Sequence, residues 1–246
     1  MAKLNPVFSG IRVDEGIESA ASIKGVASKT LLLLVVAVLS AIFSITYGAE
    51  LIYGNIGVYF VVVLGALISG IVGQISPNAA KVCSIIYAVC EGALLGLLSF
   101  LFEAAIGGIV MSAVLITATI FGVMLLLYST NIIKVTGKFI RVMSGIGITI
   151  LVVSLIYLIS SLINPNNILI TALYNNTGIL LLVSGFILIY GAFMLALDFE
   201  NINIMVANGF DKKYEWTASL GLMVTIVWIY VEVLRLLAII ASRSRD

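Results

Sequence analysis

The chain has 246 residues, of which 62% are hydrophobic and 10% are charged. Soluble domains carry about 25% charged and about 45–50% apolar residues, so lipid must solvate most of this molecule. A net charge of +1 without basic clusters excludes nucleic acid as a partner, and the absence of histidine removes the commonest zinc ligand and the commonest general base.

A polar tail, residues 1–29, opens the chain and contains GIRVDEGIESAASIKG. A helix needs about 20 apolar residues to cross the hydrocarbon of a bilayer. Seven segments reach that length: 30–49, 56–75, 82–102, 106–128, 142–163, 177–198 and 217–240. Turn and polar residues separate most of them: YGN at 53–55, SPN at 76–78, GG at 107–108, NPNN at 164–167 and NG at 208–209. The fold class expected is an all-α membrane protein, a seven-transmembrane helix bundle over residues 30–240, followed by a short polar C-terminus at 241–246. The first segment is read as a span and not as a cleaved signal, because six further spans follow it.

Positive charge in the connections sets the expected orientation. The tail carries Lys3, Arg12, Lys24 and Lys29; the second connection has Lys81, the fourth Lys134, Lys138 and Arg141, and the sixth Lys212 and Lys213. The first, third and fifth connections have none. This alternation predicts a multi-pass protein of the cell (inner) membrane with a cytoplasmic N-terminus. Seven spans then put Arg243 and Arg245 outside, against the rule, and a re-entrant last segment with both termini inside is the alternative.

Small residues mark where helices approach closely in lipid. Ala88, Gly92 and Gly96 form such a ridge in the third span, and Ala66 and Gly70, with Ser69 and Gly73, form one in the second. Each serves either internal packing or dimerisation. Cys83 and Cys90 are seven residues apart in one run, a rise of about 10 Å that forbids a disulfide between them.

Charged side chains at bilayer depth are rare and usually functional, because burial of one costs about 2.5–3.5 kcal/mol or more. Four stand out: Glu91, Asp198, Glu232 and Arg235. Glu232 and Arg235 share a helix face at a spacing of three and are expected to pair as an anchoring ion pair. Glu91 lies alone, about 14 Å into its span, and Asp198 closes the sixth span as a boundary residue. Asp198, Glu91 and Glu232 at successive depths are the candidates for an ion path and for pH sensing. No HExxH, nucleophile elbow, GxGxxG or metal-ligand cluster is present, so neither an enzyme nor a bound cofactor or metal is expected. The three prolines lie outside the span interiors and no internal repeat stands out, which disfavours a secondary transporter.

Four stretches carry a resemblance: YAVCEGALLGLLSF, TATIFGVMLLLYSTNIIKVTGKF, ALDFENI and KKYEWTASLGLMVTIVWIYVEVLRLL, with the N-terminal NPVF in support. Together they resemble the Bax inhibitor-1 family of membrane proteins, especially its bacterial branch. The resemblance implies a central seventh helix surrounded by six others and a pH-sensitive Ca²⁺ leak, with Ca²⁺ as permeant ion. It also implies two acids on the last two helices that share a proton and close the cytoplasmic side. Asp198 falls at the first of these positions, whereas the second matches Thr225 and Ile229, neither of which ionises. Three readings stay open. Asp198 pairs with Glu200 or Glu215; Glu91 and Glu232 form a different sensor; or the chain conducts nothing and regulates a membrane protease, another membrane protein or a stress response. The lipid bilayer is the one partner common to all three.

Overall fold

Each of the seven apolar segments is helical in the computed structural model, which describes residues 20–48, 56–163 and 176–243. In lipid every backbone amide must find its partner within the chain, and a run of Leu, Ile, Val and Ala does so as a helix. The helices are α1 Ile23–Phe43, α2 Ile56–Ile75, α3 Ala80–Ala105, α4 Ile109–Ser129, α5 Gly137–Ile163, α6 Thr177–Ala207 and α7 Tyr214–Arg243. A short π-helical turn, Ser44–Gly48, prolongs α1. All seven helices are long and apolar enough to cross a membrane. Among the described residues there is no strand, only an isolated bridge between Ala20 and Asp211.

Local chemistry fixes the ends. Ser22 caps α1 by accepting the Gly25 N–H at 3.0 Å, and Asn176 caps α6 by accepting that of Ile179 at 3.1 Å. The Glu103 carboxylate reaches over the α3–α4 turn to the N–H groups of Gly108 and Val110, at 2.6 and 3.0 Å. Gly108 sits there at φ 83°, a conformation that suits glycine.

The helix bounds depart from the sequence reading most at α6. It runs to Ala207, nine residues past the expected end at 198. The charge of Asp198 interrupts the hydropathy and marks a boundary there; beyond it, INIMVA resumes an apolar run and the helix simply continues. Likewise α1 starts at Ile23, with Lys24 and Lys29 in its first two turns.

Helix α7 occupies the centre and packs against α1, α2, α3, α4 and α6. One of its faces, Leu220, Met223 and Val227, meets Leu33 and Ala37 of α1, Ala66 of α2 and Tyr87 and Ala88 of α3. The other, including Leu222, Ile229 and Val233, meets α4 and α6 through residues such as Ala113, Met124, Leu195 and Phe199. Helix α5 stands one layer out, against α6, where Phe139 packs edge-on to Phe193 and the Tyr190 hydroxyl donates to the Met143 carbonyl at 3.3 Å. Five helices, not six, therefore form the ring around α7.

The glycine ridge of α3 is filled from inside the molecule. The backbone of Ala37 and Ala41 lies so close to Gly92 and Gly96 that neither has room for a Cβ. The Ser40 hydroxyl donates to the Val89 carbonyl at 2.6 Å, and that of Ser44 to Ala93 at 3.0 Å. The N-terminal ends of α1 and α7 meet at one face of the bundle, where the Ala21 N–H donates to the Phe210 carbonyl at 2.7 Å. That basic face also receives the α2–α3 and α4–α5 connections, with Lys81 and Lys134.

Candidate functional site

Asp198 lies on α6 nine residues before the helix ends, about 14 Å from its tip, and Thr225 lies eleven residues into α7, about 16 Å from the same face. The antiparallel pair thus brings these two side chains together. The Thr225 hydroxyl lies beside the Asp198 carboxyl and reaches the Gly221 carbonyl at 3.3 Å. Asp198 Oδ2 is buried and receives no hydrogen bond. Ile229, one turn further along α7, is fully buried and packs over Gly191 of α6. Of the two positions that the resemblance left open, Thr225 therefore faces the aspartate. Asp198 is an interior residue of the seam, not the solvated end residue that the hydropathy break suggested.

The other proposed companions of Asp198 are engaged elsewhere. Glu200 accepts the Tyr128 hydroxyl at 2.6 Å, and the same hydroxyl receives Asn203 Nδ2 at 2.6 Å. Glu215 is 1% exposed and forms an ion pair with Lys29, while Ser22 donates to it through its backbone N–H at 2.8 Å and its hydroxyl at 3.2 Å. Lys29 also lies 5.4 Å from the Trp216 ring centroid. This cluster ties the start of α1 to the start of α7 across 186 to 193 residues of sequence.

Glu232 is 5% exposed and pairs with Arg235 at 2.9 Å, as its spacing predicted. Arg235, whose side chain is 49% exposed, also reaches the Ser184 hydroxyl at 3.3 Å, which places Ser184 beside the ion pair. The pair pins α7 to α6 about 27 Å from the basic face, ten ångströms beyond Thr225 by the same helical rise of about 1.5 Å per residue.

Glu91 opens onto a groove of about 560 Å³ between α2 and α3. Val224 of α7 contributes to its wall, whereas the adjacent Thr225 faces Asp198. Glu91 and Asp198 thus share a depth but lie on different sides of α7. Neither Asp198 nor Glu232 lines that groove, so the three acids do not border one cavity. Among the described residues no cluster of three or more His, Cys, Asp or Glu side chains could hold a metal ion.

Sequence reasoning missed the Ser22–Lys29–Glu215 cluster, which has no local signature, and passed over Thr225 because it cannot ionise. It also missed Gln74 and Tyr87, which complete the Glu91 groove. Burial of Glu215 is foreshadowed by its place at the head of a long apolar run, next to Trp216.

Seven apolar helices, the last of them buried at the centre, with acids inside the bundle, define a multi-pass α-helical membrane protein. A family model described as Bax inhibitor 1 like matches residues 5–242, and the chain belongs to that family. No curated protein and no solved structure matches it.

Proposed function

We propose that this protein is a pH-sensitive leak for Ca²⁺ or another cation, gated by the protonation of Asp198 at the α6–α7 seam. The basic face is then cytoplasmic, in keeping with the positive-inside rule, and the membrane is the cell's inner membrane. The observation that supports this reading is the buried Asp198 Oδ2 without a donor. A neutral carboxyl can stay packed beside Thr225, but a carboxylate in the same place would leave a charge with one hydroxyl for company. Ionisation therefore favours any arrangement of α6 and α7 that admits water or a cation. Because Thr225 replaces the second acid, one carboxyl titrates without a coupled neighbour, and the gate has a single protonation step.

Ca²⁺ flux into liposomes containing the purified protein tests this. Flux should rise with pH through one step, and Asp198→Asn should hold it low and independent of pH. Liposomes that stay tight from acid to alkaline conditions would end the proposal.

A second reading, a non-conducting regulator or partner of a membrane protease, is favoured by the separation of the acids. Glu91 faces a lateral groove and Glu232 is neutralised by Arg235. Removal of residues 1–19 separates the two readings: a protease effect that depends on the tail disappears, while flux through the bundle persists.

A further inference from the structure

We propose that the groove between α2 and α3 is a binding site for a lipophilic cation, an alkylammonium whose chain lies along α2 and whose head pairs with Glu91. The groove's α2 wall runs from Val63 to Ile75, about 18 Å of helix, and its volume of about 560 Å³ lies in the range of small-molecule sites. Its walls are apolar apart from three side chains, Gln74, Tyr87 and Glu91. Glu91 has no hydrogen bond or ion pair with any described residue, and neither does the Tyr87 hydroxyl. The two stand four residues apart on α3 and therefore on one face. A carboxylate beside an aromatic ring is the combination that recognises ammonium groups.

Among the described residues no cation pairs with Glu91. Lys29 is engaged by Glu215, and Lys81 lies about 15 Å below Glu91 on α3. Among the described residues Glu91 belongs to no group of three or more acids or thiols that could hold a metal ion. An ordinary acyl chain would cover the apolar walls but leave the carboxyl unpaired, and an anionic ligand would be repelled by it. An alkylammonium satisfies both parts of the groove at once.

Photolabelling of the protein in phosphatidylcholine nanodiscs tests the assignment, with a diazirine-bearing dodecylamine and the matching dodecanol as probes. Labels are mapped by peptide mass spectrometry, and the lipid-facing surface of α5 (Leu151, Leu155 and Leu158) serves as the reference for membrane partitioning. Relative to α5, the amine should label the groove about tenfold more than the alcohol, as a charge-assisted hydrogen bond allows. Glu91→Gln should reduce that ratio to the α5 value. Ile71→Trp, at a groove position that is 52% exposed, should lower groove labelling by both probes without changing α5. Equal ratios at the groove and at α5 would mean ordinary lipid filling and would overturn the proposal. So would an amine preference that survives Glu91→Gln. If that variant does not fold, the wild-type ratio and Ile71→Trp decide alone.

Discussion

Single side chains decide the chemistry of this bundle, and their partners were the least legible part of the sequence. Glu232 and Arg235 could be paired in advance because three residues on a helix define one face. Lys29 and Glu215 could not, since only the tertiary fold joins positions 186 residues apart. Lys29→Met should destabilise the protein by about 3 kcal/mol, because it strands a buried carboxylate. Lys29→Met with Glu215→Gln should recover a good part of that loss, measurable as a double-mutant cycle by unfolding in mixed micelles. Equal losses in the single and double variants would show that the pair contributes little. At the seam, Thr225→Asp places a second acid against Asp198. Two carboxyls so close cannot both ionise readily, so the single step in the pH profile of flux should split into two, the second at higher pH. A profile that stays in one step would argue that the two side chains do not meet.

At the level of helices the sequence was far more informative. Apolar run length located all seven, because bilayer thickness and the need to satisfy the backbone leave few other solutions. The ends were less clear, since hydropathy treats a charged residue as a boundary whether or not the helix continues, as at Asp198. Small-residue spacing correctly marked α3 as a packing surface but could not tell which helix would fill it. The occupant is α1, whose backbone touches Gly92 and Gly96. Gly92→Leu should therefore force the two helices apart and cost about 2 kcal/mol or more, read from the unfolding midpoint in micelles. The same change at Gly185, which has open space around its Cα, should be nearly silent. Comparable losses at both glycines would contradict the tight α1–α3 contact.

Across the whole molecule the arrangement has one dominant feature: the last helix is the inner one. Composition and hydropathy cannot reveal this, because α7 is no more apolar than its neighbours. What distinguishes it is the number of faces it buries, with one set of residues turned to α1, α2 and α3 and another to α4 and α6. That geometry also explains why acids on neighbouring helices at equal depth need not cooperate: α7 stands between Glu91 and Asp198 as a wall.

The bond from Ala21 to Phe210 and the clasp of Lys29 on Glu215 join the beginning of the chain to its final span. Ribosomes deliver the beginning first. During synthesis the first six spans are therefore made before the helix that buries their inner faces, and Lys29 before its counter-ion Glu215. A chain cut short before Tyr214 lacks the helix against which both cores pack and the carboxylate that answers Lys29.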